Sequence, residues 1–274
     1  MTVQDVLRRA AEHLEKTSET GRLDAELLLA HTLGRPRIEL YTDFDRPLNA
    51  AELDAYRELV ARRARREPVA YILGEWGFRR LTLAVDPRAL IPRPETEVVV
   101  ERALAHLREH ESPRVLDVGT GTGAIALAIV DEHPGARVTA IDLSDDALAL
   151  ARENAARTGL ELELLQHDLG AGLPGGPYEL VVSNPPYVDP DELETLMPDV
   201  RDFEPRLALV GRGATEAVAR NSRAVLAPGG ALVLEVGDGQ APAVAALLVE
   251  LGYDDVRTTA DLTGRERVVE GRRG

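Results

Sequence analysis

Asn184-Pro185-Pro186-Tyr187 is the stretch of this sequence whose residue types most directly promise chemistry. The apolar run Val181-Val182 ends there in an amide, two prolines and a phenol ring. Pro185 and Pro186 have fixed φ and no N–H, so this backbone joins neither a helix nor a ladder. A strand end of this make-up presents an Asn side chain, bare carbonyls and an aromatic ring to solvent. Such a set can grip a flat group that bears an NH2. No His or Glu adjoins it in the sequence, so hydrogen-bond acceptors are expected here and a strong base is not.

Three positions upstream belong with it. The strand-like run Arg114–Val118 ends in Gly119-Thr120-Gly121-Thr122-Gly123 and feeds an apolar helix from Ala124 to Val130. Glycines allow a ligand to approach the backbone closely and leave N–H groups exposed. The spacing is not GxGxxG, and no Lys-Ser/Thr follows, so neither a dinucleotide fingerprint nor a phosphate loop is present. Asp117, just before the turn, suits a ligand with a cationic or polar tail. A second strand, Arg137–Ile141, ends at Asp142, roughly twenty residues past the glycines, where a carboxylate can take both hydroxyls of a ribose. Asp145 and Asp146 read as caps and dipole partners of the next helix. A third strand carrying Leu162, Leu164 and Leu165 runs to Asp168. That side chain can receive an adenine amino group, with Leu169 packing on the base.

These positions need a frame. Tyr178–Ser183, Gly230–Val236, Tyr253–Thr258 and Glu266–Val269 supply four more strands, which makes seven. Strands that alternate with helices predict an α/β, Rossmann-like, mainly parallel sheet with helices on both faces. Ligands of such sheets gather at the carboxyl ends of the strands. The glycine turn, Asp142, Asp168 and Asn184 all fall there.

Ahead of this half the pattern is helical. Val6, Leu7, Ala10, Ala11 and Leu14 share a helical spacing, as do Leu53, Tyr56, Leu59 and Val60, and Asn49 or Ala50 marks a helix start. Residues 1–70 are expected to form a small helical docking domain. The cluster Arg62-Arg63-Ala64-Arg65-Arg66 reads as a solvated helix end. Residues 71–90 read as a connecting β-hairpin, with Leu81, Leu83 and Val85 alternating with polar or small residues. Phe78 there either packs the hinge or lines a pocket. Residues 91–274 form the sheet domain.

Bulk properties narrow the partners. At 274 residues the chain can bury a sizeable core. Its formal net charge of −15 suits long nucleic-acid duplexes poorly and a basic protein better. Cysteine is absent, which excludes disulfides and thiolate chemistry and fits a cytoplasmic setting. No run of eighteen apolar residues and no signal peptide are seen, so no membrane association is expected. No metal site is expected either.

Asp117–Gly123, Asp142, Asp168 and Asn184–Tyr187, in this order, resemble a class I S-adenosylmethionine-dependent methyltransferase. Asn-Pro-Pro-Tyr after the fourth strand is similar to enzymes that methylate planar NH2 groups. Further stretches resemble the bacterial release factor glutamine methyltransferases: Pro68–Gly74, Ile91-Pro92-Arg93-Pro94-Glu95-Thr96-Glu97, Phe203–Leu209 and Asp261–Arg267. The resemblance spans nearly the whole chain and departs softly at Leu169, an aromatic position in some relatives. It implies N5-methylation of the glutamine in the Gly-Gly-Gln motif of peptide-chain release factors. S-adenosyl-L-methionine would donate the methyl by in-line displacement, leaving S-adenosyl-L-homocysteine. Asn184 and Pro185 would accept the amide N–H bonds, Tyr187 would stack on the amide, and Pro186 and Phe78 would line the substrate pocket. Asp117, Gly119, Thr120, Gly121, Thr122, Gly123, Asp142, Asp168, Leu169 and Asn184 would meet the cofactor. Two alternatives share this chemistry, a glutamine methyltransferase acting on a ribosomal protein and an adenine-N6 nucleic-acid methyltransferase. The acidic balance, the lack of a target-recognition insertion and the helical N-domain stand against the second.

Overall fold

The computed structural model describes residues 1–274, which divide into two compact units: Met1–Glu75 with Met197–Phe203, and Trp76–Leu196 with Glu204–Gly274. The first unit holds α1 (Val3–Leu14), α2 (Gly21–Leu33), α3 (Ala50–Ala64), α4 (Val69–Leu73) and the later short helix α8 (Pro198–Phe203). Reciprocal capping boxes start two of these helices. Thr2 and Asp5 close one on α1, and Asn49 and Glu52 close the other on α3. Each satisfies backbone donors that the first turn leaves without partners. Val3, Val6, Leu7, Ala10 and Leu14 form the buried stripe of α1, and Tyr56 of α3 donates its buried hydroxyl to the Ala25 carbonyl at 3.0 Å.

The basic cluster at the end of α3 corrects the expectation of a solvated helix end. Arg63 is buried, its Nε donating to Asp24 Oδ2 and its Nη1 to Asp199 Oδ2, both at 2.7 Å. Arg66 donates to the other Asp199 oxygen at 2.7 Å, and Arg62 pairs with Glu67. A guanidinium leaves water only when carboxylates meet it, and a residue far along the chain supplies one of the two. Nothing local in the arginine run reports that.

In the second unit the hairpin is shorter than its alternation predicts. Tyr71–Leu73 is helical, as the end of α4, and the helix stops at Gly74 in the left-handed region with φ 74°. Only β1 (Glu75–Phe78) and β2 (Leu81–Ala84) pair. The extended Ile91–Glu95 segment follows, and then α5 (Thr96–Leu107). The sheet unit continues with β3 (Arg114–Val118), α6 (Ala124–Glu132), β4 (Arg137–Asp142), α7 (Asp145–Thr158), β5 (Glu163–Gln166) and β6 (Tyr178–Ser183). It is completed by α9 (Arg206–Leu209), α10 (Ala214–Val225), β7 (Leu226–Glu235), α11 (Ala241–Glu250), β8 (Tyr253–Ala260) and β9 (Glu266–Arg273).

The seven strands lie in the order β5-β4-β3-β6-β7-β9-β8, with β7–β9 and β8–β9 antiparallel and the rest parallel. Chain order therefore runs outward from β3 to β5 and then reverses into β6, which puts a topological switch point between β3 and β6. Strand alternation separates two cores. Val115, Ala140, Leu180, Val182 and Val233 face α5 and α6, whereas Leu116, Ile141, Val181, Leu232 and Leu234 face α10 and α11. β7 starts earlier than expected, at Leu226, because that residue already pairs with Tyr178; the register then shifts before Leu180 meets Ala231. No helix is long and apolar enough to cross a membrane.

Candidate active site

A cavity of about 400 Å3 opens at the carboxyl ends of β3, β4 and β6, beside the switch point. That volume lies in the range of small-molecule sites, roughly 300–1,000 Å3. Its lining includes Gly119, Thr120, Gly121, Thr122, Asp142, Asp168, Leu169, Asn184, Pro185 and Pro186, so most of the residues singled out in the sequence meet here.

The glycine turn is held in shape by backbone hydrogen bonds. Gly119 and Thr120 both donate to the Ile141 carbonyl, at 2.8 and 3.0 Å, which folds the turn back across the end of β4. Gly119 and Gly121 have φ of 75° and 55°, a region that costs a Cβ-bearing residue. Gly121 then offers its N–H to Asp142 Oδ2 at 2.9 Å, and Ser144 offers its own to Asp142 Oδ1 at 3.0 Å. Both oxygens of Asp142 are thereby oriented, with lone pairs to spare, at the cavity wall. Ser144 caps α7 by accepting from Ala147, so Asp145 and Asp146 fill the first turn and are not the cap. Asp168 accepts from Gly170 at 2.8 Å and starts a 3-10 turn, and Asn221 of α10 secures that turn through the Leu169 carbonyl at 3.0 Å.

The end of β6 is locked to the end of β3. Ser183 donates its hydroxyl to the Val118 carbonyl at 2.7 Å, and the Asn184 carbonyl lies close to Gly119. Pro186 packs so tightly on Gly211 that a methyl there would overlap its ring and carbonyl. Glu204, buried, accepts from the Ile91 N–H at 3.2 Å and pairs with Arg93, which ties the Ile91–Arg93 wall of the cavity to the segment before α9.

Four expected site residues do not line the cavity. Asp117 is fully buried on the α5/α6 side of β3, accepting from the Thr120 hydroxyl at 2.7 Å, while its Oδ1 has no hydrogen-bond partner. Burial pushes its carboxyl up to about 7, against the Thr120 hydroxyl and helped by the Asp142 charge. Gly123 starts α6 with φ 82°, and a Cβ there would crowd Ala151 and Leu127 at 3.3 Å, so it serves helix packing. Phe78 lies 1% exposed in the core among Leu83 and Val99, which excludes it from a substrate pocket wall. Tyr187 is half-buried with its ring against Gly237 and its carbonyl accepting from Gln240 at 3.1 Å. Burial, and then the charge of Glu235, raises its phenol above the ordinary range, so it is not a base.

Three residues at or beside the cavity had no role assigned from the sequence. Asn154 of α7, fully buried, donates to the carbonyls of Ala84 and Thr122 at 3.0 and 2.9 Å and accepts from the Ala84 N–H at 2.7 Å. It clamps the hairpin to the glycine turn. Thr96 lines the cavity at the start of α5. Glu235, at the end of β7, stands next to Asn184; an acid closing the apolar run Ala231–Leu234 was the signal that could have found it.

The site's residues fit S-adenosylmethionine. A doubly oriented carboxylate at Asp142, apolar walls at Leu169 and Ile125, and an unpartnered Asp117 oxygen behind the glycine turn match a ribose, a base and a charged tail. Sheet order, switch point and glycine turn define a Rossmann-like class I methyltransferase.

Two stretches of the chain match known families. Residues 5–74 match the family described as PrmC N-terminal domain, and residues 100–199 match the methyltransferase small domain. The release factor glutamine methyltransferase of Geobacter sulfurreducens is 43% identical over 100% of this chain and 97% of its own, and that of Deinococcus radiodurans is 44% identical over 100% and 99%. The chain belongs to the release factor glutamine methyltransferase family. Among solved structures, a T. Thermophilus 16S rRNA N2 G1207 methyltransferase in complex with AdoMet and guanosine aligns with a TM-score of 0.53. Its 18% identity, over 73% of this chain and 50% of that one, shows a likeness of fold.

Proposed function

We propose that this protein methylates the side-chain amide nitrogen, N5, of the glutamine in the Gly-Gly-Gln motif of peptide-chain release factors, with S-adenosylmethionine as donor. The observation that carries the reading is Asn184, which lines the same cavity as the glycine turn and Asp142. Relatives of this chain over its full length carry the release factor glutamine methyltransferase name, the helical first unit included.

Bound S-adenosylmethionine supplies a methyl group on a sulfonium, an electrophile that needs no further activation. Asp142 is assigned the ribose hydroxyls, Asp168 and Leu169 the base, and the turn from Gly119 to Thr122 the tail. A primary amide is a poor nucleophile because its lone pair is delocalised into the carbonyl. Asn184 Oδ1 and the Pro185 carbonyl are assigned its two N–H bonds. They aim the nitrogen and favour the positive charge that grows on it, and the surplus proton leaves to water once the C–S bond has broken and the C–N bond has formed. Positioning of this kind can contribute roughly 7–11 kcal/mol at best, so the site does not demand a strong base. Pro186, set against Gly211, keeps the acceptor backbone rigid.

Fragment mass spectrometry of a release factor exposed to this protein and S-adenosylmethionine tests the reading. One methyl on the Gly-Gly-Gln glutamine is expected, and a methyl on any other residue contradicts it.

A further inference from the structure

Ser183 pairs with Leu234 across the parallel β6–β7 ladder, so Asn184 and Glu235 are the next residues in register. They follow Val182 and Val233, both of which face the α5/α6 side. The first residue of α5, Thr96, is 4% exposed on that side, and Asn184 Nδ2 donates to its Oγ1 at 3.4 Å. Glu235 is 2% exposed, and its Oε2 is buried without a hydrogen-bond partner. β7 is paired on both edges at this height, with Leu234 and Glu235 against Val269 and Val268, so the carboxyl cannot swing away on a mobile backbone. An acid enclosed in this way is costly and is not needed to hold the strand.

We propose that Glu235 is the positioning residue of the amide site: through the Thr96 hydroxyl it holds the Asn184 carboxamide with Nδ2 turned inward and Oδ1 facing the cavity. The inference rests on the reading of Asn184 Oδ1 as an acceptor for the substrate amide.

The argument is one of donors and acceptors. An Asn amide has two nearly isosteric orientations, and only its partners choose between them. Turned the wrong way, Asn184 would present N–H bonds to the N–H bonds of the substrate. A Thr hydroxyl that accepts from Nδ2 still has its own proton to give, and in this relay the Glu235 carboxylate, neighbour of both Thr96 and Asn184, takes it. Burial is the largest influence on Glu235 and opposes its ionised form; the Thr96 hydroxyl favours that form, the Glu95 charge opposes it, and Arg267 and the Asn184 amide favour it, with the Tyr187 phenol a further titratable neighbour. The balance pushes the carboxyl up to about 7. Protonation would reverse the relay. Glu235 would donate to Thr96, Thr96 would donate to Oδ1, and the amide would turn its Nδ2 to the cavity.

The test compares Thr96→Val, Thr96→Ser and Glu235→Gln with wild type, reading kcat, KM for the release factor and the dissociation constant of S-adenosylmethionine. Misplacing a reacting group by about 1 Å can cost on the order of 10²-fold. Thr96→Val is expected to lose kcat by roughly 10- to 10²-fold with cofactor affinity little changed, and Thr96→Ser to recover most of that loss. Wild-type kcat is expected to rise with pH through neutrality, and Glu235→Gln to lower kcat and flatten that rise. Wild-type kcat in Thr96→Val, or equal damage from Val and Ser, overturns the proposal, and both outcomes can be read even where Glu235→Gln does not fold. Asn184→Ala is assayed beside them. If it is inactive while Thr96→Val is unimpaired, only the relay fails; if it turns over normally, the underlying assignment of Asn184 fails as well.

Discussion

Asp142 Oδ2 accepts the Gly121 N–H at 2.9 Å, which makes the acid at the end of β4 a structural member of the glycine turn as well as a ligand candidate. The same bond that orients the carboxylate fixes the turn's left-handed backbone. Asp142→Ala is therefore expected to weaken S-adenosylmethionine binding by roughly 10- to 100-fold, the worth of a hydrogen-bonded charge at about 1.5–3 kcal/mol. Calorimetric titration reads this directly. An unchanged dissociation constant would remove Asp142 from the cofactor site.

Asn184 separates chemistry from cofactor binding. Its backbone stays where Ser183 and the Val118 carbonyl anchor it, so Asn184→Ala leaves the cavity's cofactor end in place. Turnover should fall by more than about 10²-fold, as when a preorganised polar partner of a transition state is deleted, while cofactor affinity largely survives. Parallel loss of both would place Asn184 in the scaffold.

Local patterns reported local structure well. The apolar strands, the glycine turn and the acids at strand ends could be read directly, because each is a property of a few consecutive residues. Placements created by pairing could not. Glu235 reaches Asn184 only through the β6–β7 register, which includes a shift between Tyr178 and Leu180 that no periodicity reports. Arg63 appeared solvated because its partner Asp199 comes from far along the chain. Phe78 was ambiguous for a different reason: an aromatic in a hairpin has the same sequence signature whether it covers a core or a ligand.

For Phe78 the structure decides on the core, and its removal should be felt there. Phe78→Ala is expected to cost about 3–5 kcal/mol, as for other buried aromatic truncations, seen in a denaturant melt. KM for the release factor, measured well below the melting temperature, should stay near wild type. An unaltered melt with a raised KM would return Phe78 to the pocket.

Asp117 and Glu235 give stability a pH signature. Their carboxyls ionise near 3.8 and 4.5 in the unfolded chain and are held at about 7 in the folded one. Between those values the unfolded chain gives up protons that the folded chain keeps. Their contribution is thus complete below about pH 4 and is lost as pH rises through about 7. Asp117→Asn removes one of the two groups. Relative to wild type it should gain stability from pH 4 to pH 8 by a few kcal/mol, at about 1.4 kcal/mol for each tenfold change in proton affinity. Denaturant melts across that range check this, and a difference independent of pH would contradict it.

The central claim, that one glutamine amide is the acceptor, is tested most directly by methyl-labelled S-adenosylmethionine and two forms of a release factor. One form carries Gly-Gly-Gln and the other has that Gln replaced by Ala. Label incorporated into the first and absent from the second is the predicted result; label on the alanine form would contradict it.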